Sequence, residues 1–173
     1  DNHPDNPALT VLNAILSQGE SSRLYQSLVY RDQLAQAAQT FVASKQGPGN
    51  FVAFAVMASG KKADAGEAAL RREIARLRSA PVSAAELAEA KNEILTSVLQ
   101  ARETPEGKAR SIAAAAIIDG DPHAADRQLA ALAQVTAADV QRVASRYLRD
   151  SRAAMIHYLP EDPANKFPVN DRI

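Results

Sequence analysis

Three histidines, His3, His123 and His157, are the first residues to question about chemistry, because imidazole with a carboxylate is how a chain without cysteine would hold zinc. Their spacings match no helical or hairpin pair, so the sequence contains no local zinc motif. Each has a simpler reading: His3 as a tail residue, His123 in the first turn of a helix, and His157 as a strand residue, partly buried or at a sheet edge. Serine nucleophiles come next. The stretch SQGESSRLYQSLVYRDQLAQ, Ser17 to Gln36, puts Ser21 and Ser22 after a glycine and ahead of an amphipathic run. That is the layout of a turn feeding a helix N-terminus, where free backbone N–H groups attract anions. It lacks the flanking glycines of a nucleophile elbow and lies between two helices rather than after a strand. It also lacks the G-x-x-x-x-G-K-[ST] spacing of a phosphate loop. Ser21 and Ser22 are therefore read as helix caps. No residue of the chain is assigned a catalytic, cofactor-binding or metal-ligating role.

Acidic residues in promising positions also read as structure. In PVSAAELAEA, Ser83 is followed three positions on by Glu86, and in QVTAADVQRVA Thr136 is followed by Asp139. The first is a capping box, in which hydroxyl and carboxylate each satisfy an orphan N–H; Asp139 is a looser version. Arg71, Arg72, Arg76 and Arg78 crowd one helix face, but Glu67 and Glu73 interleave with them, which makes that face a solvated outer surface rather than a polyanion site.

The elements that carry these residues follow from periodicity. Leu9, Leu12, Ile15 and Leu16 recur at helical spacing and stop at Gly19, a C-terminal cap. A second helix carries Leu24, Leu28 and Tyr25. Small and β-favouring residues from Ala35 to Lys45, a turn at Gly47 to Asn50, and the apolar run FVAFAVMAS from Phe51 to Ser59 form an antiparallel pair. The second strand is expected to be covered on both faces. From Ala63 about five helices follow: one striped by Leu70, Ile74 and Leu77, a long one ending near Arg102, one started by Thr104 and Pro105 with AAAAII packing it tightly, a short one started by Asp121 and Pro122, and a last one. SRAAMIHYLP then alternates as a final strand.

This order predicts an α+β fold, a two-layer sandwich with helices packed on one face of an antiparallel or mixed sheet, truncated at its N-terminal strand. Residues 1–160 are read as a single domain and 161–173 as an extended C-terminal tail.

Composition bounds the function classes. The length of 173 residues suits one domain. Twenty basic and twenty acidic side chains cancel, so no global field favours nucleic acid or an anionic membrane. No cysteine is present, which removes disulfides and thiolate metal sites. No apolar run approaches the roughly 18 residues of a membrane span. The chain begins at Asp1 with no charged-then-apolar leader, and it is read as a soluble piece of something longer.

Five phrases in order, NPALTVLNAILSQGESSRLYQSLV, QLAQAA, FVAFAVMA, PVSAAELAEAKNEIL and VTAADVQRVASRYL, resemble the non-catalytic second domain of the pitrilysin, or insulinase, family of zinc peptidases and of mitochondrial processing peptidase. The likeness runs from about Asn6 to Leu159. It implies one α+β unit of a pseudo-symmetric pair, with zinc held in the preceding domain by an inverted H-x-x-E-H motif and a distal glutamate, where metal-assisted hydrolysis would occur. Family members that help bind peptide carry an arginine and a tyrosine in the phrase L-R-x-x-x-x-L-x-Y. Aligned on Leu28 and Leu34, those positions hold Val29 and Gln36, and Tyr30 and Arg31 are out of register. That departure is similar to the zinc-bearing chain of two-chain bacterial members. By analogy this is the C-terminal domain of a zinc-dependent metalloendopeptidase, inactive alone, walling the peptide-cleavage chamber. Its implied partners are the upstream zinc domain, a second zinc-free homologous subunit and unfolded peptide, in the periplasm. The other readings are a catalytically inactive scaffold subunit of the same fold and an autonomous helical interaction module.

Overall fold

The apolar stripe of NPALTVLNAILS winds Asn6–Ser17 into helix α1, with Val11, Leu12 and Leu16 fully buried. Its end is set by Gly19 at φ +75°, the left-handed conformation that glycine adopts at no steric cost. The structure is a computed structural model that describes residues 3–43, 49–118 and 120–159. Downstream of Gly19 the chain re-enters helix, and Tyr25–Arg31 is wound as a π-helix with Ser27 and Leu28 buried. The expected side-chain caps do not form there. Ser22 Oγ instead donates backwards to the Gly19 carbonyl at 2.7 Å, and only the Ser22 carbonyl serves the helix, accepting from Gln26 N–H.

Strands β1 (Ala35–Ala43) and β2 (Asn50–Met57) pair antiparallel, with Ala38 opposite Ala55 and Phe41 opposite Val52. The register slips between Ala35 and Ala37, so Gln36 occupies a bulge. The expected turn at Gly47 to Asn50 falls partly outside the described residues. Side chains alternate across the pleat. Ala38, Phe51, Ala53 and Ala55 face the helical core, whereas Phe41, Phe54 and Val56 stay exposed on the other side. The expectation that β2 is covered on both faces is therefore corrected. Helices cover one face of this sheet, and among the described residues β1 and β2 are its only strands.

The remaining helices are α2 (Ala63–Ser79), α3 (Ala84–Ala101), α4 (Pro105–Ile118), α5 (Ala124–Gln134) and α6 (Ala137–Tyr147). Both Ser83–Glu86 and Thr136–Asp139 are complete reciprocal capping boxes, the second tighter than the sequence suggests. Thr104 Oγ1 accepts from Gly107 N–H at 3.0 Å, so the predicted start of α4 is present; Asp121 Oδ1 accepts from His123 N–H at 2.9 Å in a turn, but α5 begins at Ala124 with His123 as its N-cap, beyond the predicted Asp121–Pro122 start. Gly107 has no room for a side chain, since a Cβ there would lie 1.9 Å from the Ala101 carbonyl oxygen. The fold is α+β, with α1, α2 and the π-helix packed on the sheet and α6 packed on α1 and α2, around Leu12, Leu24, Leu28, Leu77, Val140 and Val143.

Two further sequence expectations fail. Ala153–Leu159 is not a strand: after a 3₁₀ turn at Asp150–Arg152 it pairs with no strand among the described residues, and Ile156, Tyr158 and Leu159 are exposed. Alternation supplies a strand's side-chain pattern but not the neighbouring strand whose N–H and C=O groups a ladder needs. Helix α4 is also not tightly packed. Ala115 is its one buried residue, and Ile112, Ile117 and Ile118 are exposed. The C-terminal tail at 161–173 lies outside the described residues.

Candidate functional site

The three histidines occupy separate surroundings. His3 Nδ1 accepts the Asp5 N–H at 3.1 Å and its ring meets Tyr147 edge-on. His123 is the N-cap of α5, one position before the first turn. His157, expected on a strand, lies in the unpaired segment and meets α2 instead, with Nε2 2.9 Å from Glu67 Oε2 and Nδ1 3.6 Å from Asp64. Among the described residues no three His, Asp or Glu side chains are grouped to hold a metal ion.

The arginine-rich face of α2 is an ion-pair lattice. Arg71 donates to Glu67 at 2.7 Å, Arg72 to Asp32 at 2.8 Å, and Arg76 to Glu73 at 2.9 Å. Arg78 and Arg71 share Asp150, which ties α2 to the 3₁₀ turn after α6 and holds the Asp150 carboxyl below its usual range. The solvated-surface reading misses that three of these pairs cross between elements.

The stretch Ser17–Gln36 is also crosslinked. Arg23 reaches α3 with Nε 2.8 Å and Nη2 3.2 Å from the two Glu86 oxygens. Glu86 thus serves twice, as the capping-box carboxylate at Ser83 and as the partner of Arg23. Arg23 first, and then the Ser83 backbone N–H, lower its pKa. A cleft of about 480 Å³ opens between this stretch and α2, with Arg23, Arg31, Glu73, Arg76 and Glu86 in its walls. Of the positions where related peptide-binding domains carry arginine and tyrosine, Val29 is half-buried against the core and Gln36 is exposed on the β1 bulge. Tyr30 is exposed at the end of the π-helix, and Arg31 lies 3.5 Å from Asp32.

Two buried carboxylates escaped the sequence reading, Glu73 on the α2 face read as solvated and Asp5. Asp5, just ahead of α1, accepts from Tyr147 at 2.7 Å, Arg142 at 2.6 Å and Arg146 at 3.2 Å, all on α6. The Tyr147 hydroxyl and then the Arg142 guanidinium hold its carboxyl below the usual range. No local pattern signals a pairing across 137 residues or more. A second, mostly apolar cavity of about 750 Å³ lies between α1, α3, α4 and α5.

Comparison with known proteins places this geometry. Residues 1–94 match the model of the peptidase M16 inactive domain. No curated protein matches. Among solved structures, a candidate zinc protease from Bordetella pertussis Tohama I is 30% identical at a TM-score of 0.78, covering 91% of this chain and 87% of that one. The inactive peptidase domain of a candidate zinc protease from Bordetella parapertussis is also 30% identical at 0.77, over 94% of this chain and 87% of that one. The periplasmic protease PqqL from Escherichia coli shares the fold at 22% identity and 0.61, over 86% of this chain but 16% of its own. With the match extending over more than half its length, this chain belongs to the peptidase M16 inactive-domain family.

Proposed function

We propose that this domain is the non-catalytic C-terminal half of a zinc-dependent metalloendopeptidase, where it walls the peptide-cleavage chamber and docks a partner domain or subunit. The observation that carries the reading is the one-sided sheet: helices cover one face, while Phe41, Phe54 and Val56 leave the other apolar and open. Exposed apolar side chains grouped on one sheet face fit a surface that meets another protein or an unfolded chain. In this reading the zinc of the enzyme is held by another domain of the full-length chain. There it would lower the pKa of a bound water. Residues 1–160 act as the single folded unit in this reading. A periplasmic setting is supported by the fold shared with PqqL, itself a periplasmic protease.

The test is made on the natural full-length chain, with the 173-residue piece as control. Zinc is counted per molecule and cleavage of a quenched unfolded peptide is followed. Zinc and cleavage in the full chain, with neither in the piece, support the reading. A full chain without zinc or cleavage overturns it in favour of a scaffold role.

A further inference from the structure

We infer that the cleft between the Ser17–Gln36 stretch and α2 is a binding site for a single carboxylate of a peptide. The walls combine guanidinium donors from two elements: Arg23 and Arg31 from the π-helical region, Arg76 from α2. Their local partners do not use up their hydrogen-bonding capacity. Arg76 gives Nη1 to both Glu73 oxygens and bonds through neither Nε nor Nη2. Arg23 gives Nε and Nη2 to Glu86 and keeps Nη1. Arg31 makes only the 3.5 Å ion pair with Asp32. Guanidinium carries five N–H donors in a planar fork matched to carboxylate geometry.

The charges decide the class of anion. In and beside the cleft, four guanidiniums (Arg23, Arg31, Arg72, Arg76) face three carboxylates (Asp32, Glu73, Glu86), so one positive charge is in excess. That balance suits a monoanion and not a phosphate dianion. Glu73 is only 2% exposed and fixes the Arg76 head group from behind, and Glu86 does the same for Arg23. Arg23 and Arg76 are thus tethered before a ligand arrives, which lowers the ordering cost of binding. Gln26 and Ser21 line the same cleft, and the Ser21 hydroxyl makes no hydrogen bond within the described residues, leaving it for the adjoining peptide backbone. The stretch that looked like an anion-binding turn therefore meets its anion with side chains and not with a helix N-terminus.

The choice of a peptide as the bearer of the carboxylate rests on the peptidase reading. The experiment is kept separate from it: the 173-residue protein is titrated by calorimetry with N-acetyl-Ala-Ala-Ala-Leu as free acid and as C-terminal amide. The free acid is expected to bind about tenfold or more tightly than the amide, the scale of hydrogen bonds to a charged group. Arg76→Gln should remove that preference. Because Arg76→Gln also removes the hydrogen bonds of buried Glu73 and leaves it only the 3.7 Å ion pair with Arg72, Arg31→Gln is measured beside it; this exposed side chain can change without touching the core, and the preference should shrink several-fold. Circular dichroism verifies that each variant is folded. Equal binding of acid and amide, no binding of either, or a preference untouched by Arg31→Gln overturns the assignment. So does displacement of the acid by inorganic phosphate at lower concentration than by acetate, which would mark a dianion site. None of these outcomes alters the zinc and cleavage result on the full-length chain, so the two readings fail separately.

Discussion

Helices α2 and α4 differ in how they are held, although both look like ordinary amphipathic helices in sequence. Helix α2 is anchored twice: Ala69, Leu70 and Leu77 are buried against the core, and its arginines reach Asp32 before the sheet and Asp150 after α6. Helix α4 buries Ala115 alone, and its one described inter-residue ion pair, Arg110 with Glu106, stays within the helix. Stability is not uniform across a fold, and elements with few buried apolar contacts open first. The difference teaches that a run such as AAAAII signals helix but not packing. Alanine forms helix readily and offers little side chain to bury.

The largest expected effect breaks the anchored side. Leu77 is 0% exposed between α2 and its neighbours, so Leu77→Ala should cost about 2–5 kcal/mol of unfolding free energy, transfer and cavity terms together. Chemical denaturation would measure it. A loss under about 1 kcal/mol would mean that this part of the core relaxes freely and that the contrast with α4 is overstated.

A medium effect sharpens the comparison through charge. Asp5, beside the same core, has a folded pKa lowered by Tyr147, Arg142 and Arg146. A depressed carboxylate stabilises the fold at pH values above its unfolded pKa, about 3.9, and that contribution is lost as pH falls through the folded value. Glu86 and Asp139, lowered by Arg23 and Thr136 respectively, titrate in the same sense. Stability should therefore fall below about pH 4, and Asp5→Asn should flatten that acid limb while costing about 1–3 kcal/mol at neutral pH. Acid-limb slopes that coincide for the two proteins would show that Asp5 does not carry the linkage.

Both anchors illustrate what was legible in the sequence. Local chemistry was: the Ser83–Glu86 and Thr136–Asp139 boxes, Thr104 ahead of Pro105 and Gly19 ending α1 all rest on residues within a few positions of one another, and the β1–β2 pair joins neighbouring stretches of the chain. The π-helical winding of Tyr25–Arg31 was not, since its residues carry the same apolar spacing as an α-helix. Nor were the Asp5 clamp and the Arg23–Glu86 pair, whose partners lie 63 or more residues apart and meet only after the helices have packed. The candidate cleft was half visible. Its first wall, Ser21 to Arg31, stood out by composition, while Glu73 and Arg76 looked like any interleaved surface charges.

The smallest expected effect falls on α4 and is the most discriminating. Ile117 is 82% exposed, so Ile117→Ser removes little buried area and should change the stability of the isolated domain by no more than about 0.5 kcal/mol. Ile112 and Ile118 beside it are exposed too, and an apolar surface of this kind commonly meets another protein. If α4 is instead a packed part of this domain in solution, Ile117→Ser will behave like Leu77→Ala, with a loss of more than 1 kcal/mol in denaturation. Amide exchange separates the cases further. A loosely held α4 exchanges faster than α2 in the unaltered protein, because its opening disrupts few buried contacts, and the substitution leaves that ratio unchanged. Equal protection of the two helices would remove the contrast, since it would require α4 to open only when the core does.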